Sequence, residues 1–306
     1  MSQDDKQPET LPENTTASPS WTVKDLLQWT ASYLEKNHSE SSRLDAEILL
    51  AHCMDCPRIM LYTRYDEVVG EQGRQSFREL VRQRATGVPV AYLVGHREFY
   101  SLRFDVSNQV LIPRPATEFA VIAVLDIIKK HFPDNPQSIA DVGTGSGVIA
   151  VTLARELPGV SFTAIDISQS ALDIAVTNAT RHHVSDQIQF LRQDLLSEPS
   201  QDLFDIIVSN PPYVRSDEYA QLNRDVHDYE PQIALEAGPT GMEIYDRLIP
   251  QAASQLHDQG WLVLETSPML IDTLQQSVAQ AGFDSVETVS DLEGHGRIVL
   301  ARRHHD

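Results

Sequence analysis

Cysteine is nearly absent: the 306 residues hold two, Cys53 and Cys56, too few for a disulfide-braced secreted fold. They stand in Cys53-Met54-Asp55-Cys56 beside His52, with no second cysteine pair to complete a zinc site. The run Leu44–Ala51 before them has helical character and lacks the strand that leads a thioredoxin-type motif, so the pair reads as a small apolar contact at a helix end, and no metal is expected. Also missing is any apolar run long enough to span a bilayer. Residues 1–20 lack the basic start and apolar core of a signal peptide; rich in Pro, Thr, Ser and Glu, they are expected to form a disordered tail. These absences point to a cytoplasmic chain with no membrane partner. Basic residues are scarce as well, 24 Lys and Arg against 44 Asp and Glu, for a net charge of −20. Residues 111–306 carry 28 of the acidic residues and 12 of the basic ones. Such a surface repels phosphate backbones, which disfavours nucleic acid as a direct partner and is equally compatible with plain solubility.

What is present suffices for real cores, since 41% of the residues are hydrophobic. Thr22-Val23-Lys24-Asp25 has the form of a capping arrangement, and Leu26, Leu27, Trp29, Ala31 and Leu34 make an apolar stripe. Further helical stretches near 41–55 and 73–85 complete a helical domain expected over residues 21–95. Residues 96–114 are expected to be a β-hairpin linker: Arg97–Tyr100 and Leu102–Val106 flank Ser101, and Val110-Leu111-Ile112-Pro113 extends the strand pattern. Helical spacing returns from Thr117 to His131. Residues 115–306 then alternate: strand 138–142, helix 147–156, strand 161–165, helix 169–180, strands 187–191 and 203–209, helix 241–256, strand 260–265, helix 268–281, strands 283–288 and 296–301. The alternation predicts an α/β fold with a largely parallel sheet covered by helices on both faces.

Four of those strand ends carry site-type chemistry. The first is followed by Gly143-Thr144-Gly145-Ser146-Gly147, a turn in which glycines let a ligand approach the backbone at a helix N-terminus. The spacing is G-x-G-x-G; a dinucleotide fingerprint wants Gly or Ala where this chain has Val148, and Asp141 just before the turn is a poor neighbour for a pyrophosphate. A donor with a cationic centre, such as the sulfonium of S-adenosylmethionine, would welcome that acid. The second strand ends at Asp166, placed to accept from both ribose hydroxyls, and the third at Asp194-Leu195, a carboxylate and an apolar side chain suited to an adenine, with helix capping as an alternative for Asp194. The fourth runs into Asn210-Pro211-Pro212-Tyr213. Each proline stiffens the residue before it and removes an N–H, which leaves carbonyl and amide oxygens as acceptors for a planar –NH₂, with Tyr213 as a π-face.

Over about residues 22–303 the chain resembles the peptide chain release factor N(5)-glutamine methyltransferases. The resemblance is carried by Pro89–Gly95 with Arg97-Glu98-Phe99-Tyr100, by Leu111-Ile112-Pro113-Arg114-Pro115, Thr117-Glu118, the glycine turn, the Asn-Pro-Pro-Tyr tetrad, and Tyr229-Glu230-Pro231 with Ala234-Leu235. It implies a seven-stranded class I methyltransferase sheet of Rossmann-like type and S-adenosylmethionine as cofactor. It also implies a helical domain at 21–95 that helps to hold a release factor, and methyl transfer to the side-chain amide nitrogen of the glutamine in a Gly-Gly-Gln motif. Gly143, Thr144, Gly145, Ser146 and Gly147 would line the methionine part, Asp166 the ribose and Leu195 the adenine. Asn210, Pro211, Pro212 and Tyr213 would hold the acceptor glutamine, Asn210 also bordering the cofactor, with Asn210, Pro211 and Tyr213 catalytic and core packing the alternative for Tyr213. Arg114 and Glu118 either shape the cofactor entrance or pair with each other, the pairing being the favoured expectation. Two positions depart from the pattern: Ala116 stands where the family commonly has an acid and Gln232 where a basic residue is frequent. Other readings are a nucleic-acid amino methylase, which would want a basic groove, an NAD-dependent oxidoreductase, which would want a hydride-transfer site, and a binding protein that has kept the cofactor fold without catalysis.

Overall fold

Thr22 starts the first helix because its hydroxyl accepts from the Asp25 N–H (3.2 Å) while the Asp25 carboxylate accepts from the Thr22 N–H (3.1 Å). The computed structural model describes residues 20–133, 138–200 and 202–304, so the tail expected over residues 1–20 lies, apart from Ser20, outside them. The chain divides into two compact units between Leu93 and Val94. In the first, α1 (Val23–Lys36) buries Val23, Leu26, Leu27, Thr30 and Leu34, while Trp29 is half-buried and stacks on Tyr33. The helices α2 (Ser42–Cys53) and α3 (Glu71–Ala85) are joined by a buried ion pair in which Arg84 donates to Asp45 at 2.7 Å. Cys53 closes α2, and burial pushes its thiol up to about 11, which suits a packing role better than that of a thiolate ligand. Among the described residues no group of three His, Cys, Asp or Glu side chains could hold a metal, and no helix is long and apolar enough to cross a membrane.

The second unit opens on an antiparallel hairpin, His96–Phe99 with Leu102–Asp105, turned by Tyr100 and Ser101 at φ of 50° and 59°. The strand pattern expected to continue through Val110–Pro113 does not form a strand. Val110 and Ile112 are apolar because they are buried, and the Ile112 N–H goes to a carboxylate of Glu230 (3.0 Å) instead of to a sheet. Helix α4 (Glu118–His131) leads into seven strands: β1 (Ser138–Val142), β2 (Ser161–Asp166), β3 (Ile188–Arg192), β4 (Phe204–Ser209), β5 (Leu256–Glu265), β6 (Phe283–Ser290) and β7 (Gly296–Arg303). Between them run α5 (Val148–Glu156), α6 (Gln169–Arg181), α7 (Glu243–Gln255) and α8 (Ile271–Gln280). The sheet order is β6-β7-β5-β4-β1-β2-β3, all parallel except β7, which is antiparallel to both neighbours. β5 begins four residues before its expected start. Leu256 already pairs with Phe204, and a kink at Gln259 (φ 67°) then shifts the register before Trp261 pairs with Ile206.

Alternate side chains of the central strands serve opposite cores. Ile139, Ile206 and Val208 join the core that includes α4 and α5 side chains, and Ala140, Val142 and Ile207 join the one with α7 and α8. The chain winds outward from β1 through β2 to β3, then returns to the other side of β1 as β4. The winding thus reverses between β1 and β4, and a crevice opens there at the carboxyl ends of the strands. Both motif loops, 143–147 and 210–213, start at that point.

Candidate active site

The glycine turn after β1 is held against the end of β2. The Gly143 and Thr144 N–H groups donate to the Ile165 carbonyl (2.8 and 2.9 Å), and the Gly145 N–H donates to Asp166 Oδ2 (2.9 Å). Asp166 Oδ1 accepts from the Ser168 N–H (2.9 Å), so each carboxylate oxygen has one backbone partner and a further lone pair. Burial raises the Asp166 pKa, and the backbone N–H groups of Ser168, Gly145 and Ile167 work against the rise. Gly147, at φ 83°, begins α5 and is a packing glycine: a Cβ there would lie 3.1 Å from Ala175 Cβ. Asp141 does not act as the acidic neighbour of a ligand that its position in the sequence suggested. It is 1% exposed, accepts from the Thr144 hydroxyl (2.7 Å) and the Ala150 N–H (3.0 Å), and burial pushes its pKa up to about 6.

A cavity of about 270 Å³ lies over these strand ends. Gly143, Thr144, Gly145, Ser146, Asp166, Leu195, Asn210 and Pro212 line it, together with Val110, Leu111, Pro113, Arg114 and Thr117 from the segment before α4. Gly147, Pro211 and Tyr213 are not among the residues that line it. Leu195 enters with a left-handed backbone (φ 55°). Asp194, considered for the adenine, is engaged by Arg247 at 2.5 Å on the rim.

At the end of β4, the Ser209 hydroxyl donates to the Val142 carbonyl (2.6 Å) and ties this strand end to β1. Asn210 Nδ2 donates to the Thr117 hydroxyl oxygen (3.1 Å). Tyr213 packs against the core beneath, and burial together with the Glu265 charge pushes its hydroxyl up to about 12. Arg114 pairs with Glu230 (2.6 Å), not with Glu118, which instead accepts the Tyr100 N–H (2.8 Å). Glu230 thereby joins the Ile-Pro-Arg-Pro and Tyr-Glu-Pro segments across one buried carboxylate.

Two residues of this neighbourhood were not singled out as functional from sequence. Thr117 was quoted only as part of a motif. Glu265 ends β5 beside Asn210, and the strand-end rule that selected Asp166 and Asp194 would have selected it too. Glu265 is 1% exposed, and burial pushes its pKa up to about 7 against the Thr117 hydroxyl and the Arg297 and Arg114 charges, which favour ionisation. A raised folded-state pKa means stability that is present at low pH and lost as pH rises through about 7. Glu265→Gln should therefore stabilise the protein at pH values well above 7, by on the order of 2–3 kcal/mol, and have little effect below the ordinary carboxylate pKa of 4.5, as read by paired denaturation curves.

Comparison with known proteins adds two family models, PrmC N-terminal domain over residues 25–95 and Methyltransferase small domain over 123–226. The chain is 47% identical to the release factor glutamine methyltransferase of Rhodopirellula baltica over 287 residues, covering 92% of this chain and 97% of that one. It is 39% identical to the protein of the same name from Koribacter versatilis, over 92% and 99% of the two chains. Among solved structures, the hMettl16 catalytic domain in complex with a MAT2A 3′UTR hairpin matches with a TM-score of 0.54 at 19% identity, covering 74% of this chain and 82% of that one. The T. thermophilus 16S rRNA N2 G1207 methyltransferase in complex with AdoMet and guanosine matches at 0.50 with 16% identity, over 68% and 50%. These two show the same class I methyltransferase sheet.

Proposed function

We propose that this chain, which belongs to the family of release factor glutamine methyltransferases, transfers the methyl group of S-adenosylmethionine to the side-chain amide nitrogen of the glutamine in a release factor's Gly-Gly-Gln motif. The observation that carries the reading is the meeting of the glycine turn, Asp166 and the Asn-Pro-Pro-Tyr loop at one switch-point cleft. The residues there fit the donor. Asp166 keeps lone pairs for ribose hydroxyls beyond its two backbone bonds, Leu195 offers an apolar wall to adenine, and Gly143–Ser146 present backbone to the methionine part. The bound donor supplies an electrophilic methyl group on a sulfonium.

An amide nitrogen is a poor nucleophile, and direct displacement needs no covalent enzyme intermediate, so the chain's task is positioning. Asn210 Oδ1 and the Pro211 carbonyl each accept one hydrogen of the substrate amide, which fixes the nitrogen and partly offsets the positive charge that develops on it. Tyr213, set firmly by the core beneath it, supports the amide plane. The extra proton becomes acidic as the N–C bond forms and leaves to water, so no general base is assigned. The test is incubation with labelled donor and either purified release factor or nucleic acid, followed by mass analysis. Label on the glutamine supports the reading, and label on a base overturns it.

The helical unit supplies contacts beyond the acceptor pocket, which a protein methylase needs because one glutamine side chain offers little surface for selectivity. Its exposed apolar side chains include Ile59 (71% exposed), Met60 (42%) and Tyr62 (44%). Ile59→Asp combined with Met60→Asp should raise KM for the release factor several-fold, roughly as expected for two lost rim contacts, and leave the donor Kd unchanged. An unmoved KM would remove this face from recognition. The substrate places the enzyme in the cytoplasm.

A further inference from the structure

A buried asparagine inside a helix calls for an explanation, since its carboxamide competes with the helix backbone and costs free energy wherever its polar atoms lack partners. Asn178 lies in α6 and is 0% exposed, yet both of its polar atoms are engaged. Its Oδ1 accepts from the Asp105 N–H (2.7 Å) and its Nδ2 donates to the Asp105 carbonyl (3.0 Å), so the side chain pairs with the last residue of the hairpin as a neighbouring strand would. Nδ2 also donates to the Ser146 carbonyl in the glycine turn (2.8 Å). Two carbonyls face Nδ2 and an N–H faces Oδ1, which fixes the orientation of the carboxamide. Ser146 borders the cavity and Asn178 does not.

We propose that Asn178 is a positioning residue for donor binding: it holds the Ser146 carbonyl toward α6 and so fixes the part of the glycine turn that the end of β2 does not hold. The inference rests on the donor reading of the cleft. Gly143, Thr144 and Gly145 are tied to the end of β2 through their N–H groups, and those bonds stop short of Ser146. On the other side, Ala175 stands three residues before Asn178 on the same face of α6 and packs so closely that a Cβ at Gly147 would lie 3.1 Å from its own. Ala175 and Asn178 together shape the back of the turn. Without the bond from Nδ2, the peptide between Ser146 and Gly147 is free to rotate, and the backbone that meets the amino-acid part of the donor loses its fixed direction. The same side chain serves the hairpin, whose second strand leads into the segment that supplies Val110, Leu111 and Pro113 to the cavity. Two further ties hold the hairpin to this end of α6 and make no bond to the turn. Arg181 pairs with the Asp105 carboxylate (2.6 Å), and the Arg103 carbonyl accepts from His182 Nε2 (2.8 Å). They allow the two roles of Asn178 to be separated.

The test is calorimetry on the full chain with two ligands that share the adenosine and sulfur of the donor: S-adenosylhomocysteine, which has the amino-acid part, and methylthioadenosine, which lacks it. Asn178→Ala should weaken S-adenosylhomocysteine by about 10-fold or more, the order expected when a buried carbonyl is left without its partner, and leave the methylthioadenosine Kd unchanged. Arg181→Ala, which loosens the hairpin only, should leave both affinities as in wild type. A purely supporting role for Asn178 would lower the melting temperature and either spare both ligands or weaken them equally, and each of those results overturns the proposal. So does Arg181→Ala if it reproduces the selective loss, because the hairpin would then carry the effect. Should Asn178→Ala fail to fold, Asn178→Cys nearly conserves the buried volume and offers only a weak donor. It should show the same selective loss, and binding of both ligands that is unchanged or equally weakened overturns the proposal there too. Wild-type protein that binds neither ligand overturns the donor reading itself, a result distinct from any difference among variants.

Discussion

Asn210→Ala is expected to cut methyl transfer to a release factor by ~10²-fold or more, with circular dichroism and melting little changed. The side chain is half-buried at the end of β4, and its one hydrogen bond is to Thr117, so its removal exposes no strand pairing and leaves the Ser209 to Val142 tie in place. What disappears is an acceptor fixed in direction before substrate arrives, at the atom that gains positive charge in the transition state. The loss should fall on kcat more than on KM, because the contact strengthens as that charge develops. Asn210→Asp offers a contrast. It keeps an acceptor for the amide but replaces the NH₂ that faces Thr117 with a second acceptor, close to Glu265. A variant with near-normal turnover and an intact fold would remove the amide clamp from the mechanism.

The parallel strands were legible because strands buried on both faces read as short apolar runs between turns, as Phe204–Ser209 does. The start of β5 was not, since His257-Asp258-Gln259 interrupts its apolar run while the backbone still follows the sheet. Val110–Pro113 misled in the opposite sense: burial beside the cleft produced the same composition as strand pairing, and no partner strand exists among the described residues. The acids show the limit most clearly. Asp141 and Asp166 both sit at strand ends beside the glycine turn and, by register, on the same face of the sheet. Asp141 pairs with Ala164 within the ladder and meets the start of α5, whereas Asp166 lies two residues further along, past the last β1 partner, and borders the cleft. Arg114 with Glu230, and Thr117 with Asn210, bring together positions far apart in the chain. No local spacing encodes such pairs, and only the return of β4 to the side of β1 puts the loops in reach.

Asp166→Ala should weaken S-adenosylmethionine binding by at least ~10²-fold, since hydrogen bonds to a charged acceptor are each worth about 1.5–3 kcal/mol and a ribose offers two hydroxyls. The structure gives the carboxylate a second task, because Gly145 and Ser168 donate their backbone N–H groups to its two oxygens and the glycine turn takes its shape partly from that bond. Asp166→Asn is therefore not a mild substitution: one of those N–H groups would meet an NH₂, and it too should bind donor poorly. The two roles separate with a donor analogue that lacks the ribose hydroxyls, compared by calorimetry on wild type and Asp166→Ala. If Asp166 touches ribose, the substitution weakens the parent donor far more than the analogue, and the difference between the two losses is the coupling of carboxylate to hydroxyl. Equal losses would mean that Asp166 acts only by shaping the turn. Burial raises its pKa, so donor affinity should also fall on acidification sooner than it would for an ordinary exposed aspartate, and the analogue should show that fall only to the extent that the turn itself loosens.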